Sequence, residues 1–357
     1  MANITGSYSL DDLRAVRFPI TAGEFGLDTI NKTLQADLAA WNAQKNDALS
    51  LFVETTTDRQ RIWGSSATVD MVKIDEEGRA PTSHNRVGNT IAFDLNRYAS
   101  AVGYNDLWFK MHSPAEMAEI QAQIKRGNNE RIIKEIQRAI YTSGSVSFTD
   151  ALVDKVSLTK KSFVFADGDA IPNAPSGATF DGSSHTHFAK TSGSTAFAAA
   201  DLTSLVTNVS EHGFSGVIMV IADGNLSEIS ALTGFTKLSA PVMQYNATDS
   251  TIARLDTESD PSNRFVGYWG DNFIPVYTKP YALLNYVAVL ATGASEKPLV
   301  RRIHTNAQLQ GLRLEGKLDN YPLYADNYVD IFGISVWNRL AGAVLYKGAS
   351  YTNPTIG

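Results

Sequence analysis

Metal or general-base chemistry in this 357-residue sequence would have to start from its six histidines, because there is no cysteine. His185 and His187 alternate, which in a strand puts both imidazoles on one face. They sit in GSSHTHFAKTSGS, with no carboxylate or third ligand at a spacing a metal site would use, so the pair is expected in a surface loop. Asp167-Gly168-Asp169 begins like a calcium loop. The next alternate position is Ile171, and the glycine and closing glutamate that such a loop needs are missing, so a turn is expected. Gly213-Phe214-Ser215-Gly216 brings its second glycine one residue too early for a nucleophile elbow, and Gly213 is better suited to stopping a helix. Neither the phosphate-cradling GxxxxGK nor the dinucleotide-binding GxGxxG occurs. The expectation is no catalytic residue, no metal and no cofactor, although a triad assembled from distant positions leaves no local motif.

Composition narrows the class further. With 43% apolar and 10% aromatic residues against 19% charged, the chain can bury a sizeable core. The formal charge of −6 argues against a protein whose main task is neutralising phosphates. MANITGSYSLDDL lacks the layout of a signal peptide. The longest apolar stretch, Tyr281 to Ala291, is interrupted by Asn285 and is too short to span a bilayer, so no membrane association is expected.

The elements follow from periodicity. After about two dozen irregular residues, Leu27, Ile30, Leu34, Leu38, Trp41, Leu49 and Phe52 mark one helix face. That face suits a core helix or an arm against another subunit. Ile91, Phe93 and Leu95 alternate with Ala92, Asp94 and Asn96, as in a half-buried strand. The arm from Ala67 to Ile74 alternates less well, as a bulge near Met71–Val72 would cause. Between the arms lies an acidic turn, Asp75 to Pro81, so residues 55–105 are expected to form a long two-stranded hairpin. Such a hairpin is marginal unless its apolar face rests on a neighbour.

Ser113-Pro114-Ala115-Glu116 is a capping box with proline in the first turn. Met117, Ile120, Ile124, Ile132, Ile136 and Ile140 then mark a helix over 114–141, with a bend or break expected at Gly127-Asn128-Asn129. Acids interleave with its Lys and Arg residues, for example Arg131 with Glu135 and Glu130 with Lys134, so a solvated or subunit-facing surface is expected rather than a DNA-binding one. Val146 to Phe165 looks strand-like, and Asp167 to Ser194 reads as a long loop or hairpin tip. Beyond it the pattern becomes α/β. Leu202, Leu205, Val206 and Val209 share a helix face that Gly213 stops, and Gly216 to Ala222 reads as a strand covered on both sides. A short helix opens at Asn225, and strands are expected at 264–269, 274–277, 283–291, 312–318 and 329–346.

This order of parts resembles the major capsid proteins of tailed bacteriophages with the Hong Kong 97 fold. The resemblance is carried by the DEEGRA turn (Asp75–Ala80), IAFDLNRYASAVGYN before the capped helix, and NYVDIFGISVWNRLAGAVLYKG (Asn327–Gly348). It implies an α+β fold with an N-terminal arm (1–54), an extended hairpin loop (55–105) and a peripheral domain (106–197) with its spine helix at 114–141. An axial domain (198–295) and a return to the peripheral domain with C-terminal strands (296–357) complete it. It also implies a structural protein with no catalytic site, assembling with many copies of itself, as hexamers and pentamers, into an icosahedral shell around double-stranded DNA. A portal protein, a separate scaffolding protein and a decoration protein are the other partners it suggests. The scaffolding protein is expected because the first helix follows Met1 closely. The residues expected at the assembly interface are Glu76, Gly78, Arg79, Pro81, Ile91, Phe93, Leu95, Arg131 and Lys134. An encapsulin-type compartment shell and an α/β enzyme built around the 216–222 strand are the alternatives.

Overall fold

The computed structural model describes residues 8–16, 20–49, 51–64, 73–74, 78, 88–193, 195–237, 243–245, 252–254, 264–294, 296–320 and 323–357. Helices α1 (Leu10–Ala15), α2 (Ala22–Phe25) and α3 (Leu27–Leu49) come first. Strands β1 (Val53–Thr56), β2 (Gln60–Trp63), β3 (Asn89–Ala92) and β4 (Asn96–Asn105) lead to α4 (Asp106–Met111) and α5 (Pro114–Tyr141). Then follow β5 (Val146–Thr149), β6 (Ser157–Lys160), β7 (Phe188–Lys190), α6 (Ala199–Ser210), β8 (Val217–Ile221) and α7 (Leu226–Ile229). Strands β9 (Phe235–Lys237), β10 (Met243–Tyr245), β11 (Ile252–Arg254), β12 (Arg264–Trp269), β13 (Ile274–Thr278) and β14 (Tyr286–Ala291) come next. The chain closes with β15 (Leu299–Ile303), β16 (Arg313–Asn320), β17 (Leu323–Val336) and β18 (Gly342–Tyr346).

Two sheets organise the molecule. One has seven strands in the order β7-β18-β14-β8-β13-β12-β9, in which β8 with β13 and β7 with β18 are parallel. Its strands β7 and β18 come from outside residues 198–295. In the centre, β8 and β14 are buried on both faces, which is why both are unbroken apolar runs. Alternation sorts their side chains. Ile218, Val220, Ala288 and Leu290 pack with Ile132, Ile136 and Ile140 of α5. Val217, Met219, Ile221, Val287, Val289 and Ala291 pack with Leu202, Leu205, Val206 and Val209 of α6. Each large aliphatic side chain so buried contributes about 1.5–3 kcal/mol.

The second sheet has β17 at its centre. It is antiparallel to β15 and β16 and, through ten register pairs, to β4; β1 joins β15 in parallel. The α5 face that meets the first sheet also meets this one, since Phe332, Ile334 and Val336 of β17 share its cluster. One helix thus holds both sheets.

The N-terminal region is more ordered than its composition suggests. Ser9 with Asp12 and Thr21 with Glu24 form capping boxes that start α1 and α2. Leu13, Phe25, Ile30 and Leu34 pack on Tyr104, Met117 and Ala118, so the open choice for this apolar face is settled within the chain. Helix α5 is unbroken through Gly127-Asn128-Asn129, so the complete break that competed with a bend there does not occur. Packing outweighs propensity there: buried Asn128 donates Nδ2–H to Asp330, 3.0 Å away.

Both flanks of the expected 55–105 hairpin belong to the chain's own sheets. Strand β2 pairs with β3, and β4 is zipped to β17. The arm at 67–72, the Met71–Val72 bulge and most of the acidic turn lie outside the described residues. The 167–194 stretch is likewise no free loop: it lies against the core through buried Ile171, Ala174 and His187 and ends in β7. Among the described residues no helix is long and apolar enough to cross a membrane.

Candidate functional site

The nine residues expected at an assembly surface divide sharply. Glu76, Arg79 and Pro81 lie outside the described residues, whereas Gly78 and Lys134 are exposed. Ile91, Phe93 and Leu95 must be corrected: they are 0%, 1% and 5% exposed within their own chain. Ile91 and Phe93 pack with Trp63, Val164, Val300 and Trp337, and Leu95 with Val329 and Ile331. The alternation was misleading because Ala92 and Asp94 are buried too, so both faces are covered. Asp94 tolerates this because Lys160 and Ser335 donate to its two carboxylate oxygens at 3.0 and 2.9 Å. Arg131 is half-buried, its guanidinium 4.4 Å from the centroid of Tyr98 and hydrogen-bonded to Glu135.

Arg131 lines a groove of about 640 Å³ with Arg97, Tyr98, Ile124, Gly127 and Asp330, where the middle of α5 faces the β4–β17 pair. Beside it, β4 presents ten residues whose outer edge pairs with no strand among the described residues. Open edges of that length invite another strand or chain. A second exposed feature is the tip of the β5–β6 hairpin, where Leu152, Val153 and Val156 are 39%, 56% and 47% exposed. The tip is anchored by Asp150, which is fully buried and accepts from Arg302 at 3.0 Å, with Arg59 3.1 Å away. Arg302 also donates to the Phe93 carbonyl at 2.8 Å. A rigid base under an apolar tip suits a contact surface better than a mobile loop would.

The Asp167-Gly168-Asp169 turn has a purpose the sequence did not reveal. Buried Arg339 donates to Asp167 at 2.9 Å, to Asp169 at 2.5 Å and to the Ser162 carbonyl at 2.8 Å. Lys161 lies 3.1 and 2.9 Å from the same two carboxylates. The carboxylates grip an arginine, and the calcium resemblance ends there.

The histidines also require correction. His187 is fully buried rather than on a surface loop, and a third imidazole, His212, comes from just beyond α6. The three Nε2 atoms lie 3.1 Å from one another in all three pairings. His187 Nδ1 is 2.7 Å from the Gly342 carbonyl. Burial pushes His187 down to about 3 and His212 down to about 4, and His185 is lowered by the same cause. Phe180 covers His185 and His212 with its ring, at centroid distances of 4.9 and 4.3 Å. No local spacing could reveal this cluster, because His212 is separated from the pair by a strand and a helix.

No protein-family model matches the chain, and no curated protein matches it. Among solved structures, a chain from Mycobacterium phage Patience superposes with a TM-score of 0.66 at 17% identity, covering 99% of this chain and 96% of that one. The capsid of a native GTA particle gives 0.49 at 13% identity, over 84% and 90% of the two chains. The SrpI encapsulin of Synechococcus elongatus gives 0.42 at 13% identity, over 87% and 90%. The fold assignment rests on the first of these. The chain shares its mixed α+β fold with that phage chain over nearly its whole length.

Proposed function

We propose that this chain is the major capsid protein of a tailed bacteriophage, self-assembling in many copies into an icosahedral shell that encloses double-stranded DNA. The observation that carries the reading is the fold likeness to a phage chain, which runs over 99% of this chain and 96% of that one. Likeness of fold alone does not dictate function. The exposed features agree with it: an open ten-residue strand edge, an adjoining groove and an anchored apolar tip are surfaces that neighbours can cover. In a closed shell each subunit is held by several neighbours at once, so modest contacts multiply through high effective concentration. The role is structural rather than enzymatic. Hexamers and pentamers are the assembly units, with a portal protein, a separate scaffolding protein and a decoration protein as further partners. The virion is the final location, after assembly in the host cytoplasm.

The test is to express the chain with and without a scaffolding partner and to examine the product by sedimentation and electron microscopy. Icosahedral or aberrant shells are expected. A small stable oligomer under every condition would remove the proposal.

A further inference from the structure

We propose that His185, His187 and His212 bind one zinc(II) ion through their three Nε2 atoms. Three nitrogens 3.1 Å apart form an equilateral triangle whose centre is about 1.8 Å from each. A zinc–nitrogen distance of about 2.0–2.1 Å therefore places the ion about 1 Å above that plane, at the apex of a cap somewhat narrower than a regular tetrahedral one. Imidazole donors in this arrangement suit zinc and its first-row neighbours.

Hydrogen bonding among the rings alone cannot account for the triangle. The Gly342 carbonyl only accepts, so His187 carries its proton on Nδ1, and the neutral ring presents a lone pair at Nε2. The remaining two rings have at most one proton each to place among three close contacts, so at least one contact is left without a proper hydrogen bond. A cation at the apex satisfies all three lone pairs together. The Gly342 carbonyl then acts as an outer partner that fixes the tautomer and direction of a metal-bound imidazole. His185 Nε2 is 3.6 Å from Glu211 Oε1, so an oxygen donor stands beside the three nitrogens to complete the set.

The ion's role follows from what it joins. His185 and His187 lie just before β7 in the Gly/Ser-rich stretch that begins at Asp167, and His212 follows α6, while Gly342 opens β18. One ion would therefore clamp a long segment of little regular structure to the seven-stranded sheet and its covering helix. That is a structural use of zinc, which contributes folding energy directly.

Cobalt(II) is the probe, because its visible absorption distinguishes tetrahedral coordination. Full-length protein stripped with a chelator should take up one equivalent of cobalt with a tetrahedral spectrum, be displaced by zinc, and melt at a higher temperature with zinc than without. His185→Ala, at the least buried corner, should keep the wild-type circular dichroism and lose the tetrahedral cobalt spectrum. His212→Gln serves as a second variant of retained volume. Wild-type protein without a tetrahedral cobalt spectrum would overturn the site, and so would a folded His185→Ala variant binding as tightly as wild type. Neither outcome depends on whether shells form, so failure of this site and failure of the capsid reading are separable.

Discussion

Arg339 has a side chain only 1% exposed, and every polar contact it makes is to a group that would otherwise be poorly solvated. It also lies over the Trp63 ring, 5.0 Å from the centroid. Replacing one member of a buried cluster leaves Lys161 alone to balance two carboxylates, so Arg339→Met should destabilise the subunit by about 3 kcal/mol. Chemical denaturation of unassembled subunits measures this. Acid should reveal the same contact. Burial raises the Asp167 carboxyl, but Arg339 and Lys161 more than offset it and hold the group below its ordinary 3.8. The unfolded chain therefore takes up the proton first. The contribution is fully present above pH 3.8 and is lost as pH falls through the lower folded value. In Arg339→Met the strongest contact that lowers the Asp167 carboxyl is gone, so this part of the acid destabilisation should shrink, read as a flatter stability profile between about pH 5 and 2. At the same scale, a methyl on Gly342 would meet the Phe163 ring at 2.3 Å, so the residue that orients His187 is also fixed by packing.

Helix α5 shows where local rules hold and where they yield. Its start was legible because a capping box is a local device, and the box at Ser113 with Glu116 is present. Its continuity was not, because Asn128 is held by Asp330, a residue some two hundred positions later. Gly127 nonetheless keeps its intrinsic cost: it is exposed, and an added Cβ would meet nothing within 4 Å. Gly127→Ala should therefore stabilise the subunit by about 0.5–1 kcal/mol. A lower denaturation midpoint would mean that the helix is interrupted there after all. Strands β8 and β14 were readable as apolar runs, and α6 by its face, since burial on two sides leaves a signature in composition. Ile91, Phe93 and Leu95 misled because alternation reports burial of one face and says nothing of which molecule does the burying. His212 and the Arg339 partners were invisible for a related reason: tertiary neighbours leave no spacing to read. The tip of β5–β6 is legible only in structure, and it carries an element-level prediction. Val153→Asp with Val156→Asp should leave circular dichroism unchanged, since both side chains are about half exposed, while lowering the yield of shells seen by electron microscopy.

For the whole molecule, the central question is which parts serve folding and which serve association. The two sheets and α5 share one core, and the stem of the hairpin region is held by a second cluster, in which Trp63 and Ile91 pack with Val164, Val300 and Trp337. Strand β2 is paired with β3 from Gln60–Ala92 to Trp63–Asn89, which closes the stem before the region of the acidic turn. Removing residues 76–85 lies wholly beyond that closure. The deletion should therefore keep the far-ultraviolet spectrum and a cooperative melt within a few degrees of wild type, because no contact described in the core is lost. Shell formation should fall sharply, since the excised segment contains Glu76, Gly78, Arg79 and Pro81, four of the residues expected to reach a neighbour. Sedimentation of the deleted chain beside wild type, each with the same scaffolding partner, separates the cases. Free subunits or small oligomers from the deletion, with shells from wild type, are expected. Normal shells from the deleted chain would move the association surface to the β4 edge and the β5–β6 tip, and a chain that no longer melts cooperatively would place the segment in the folding core.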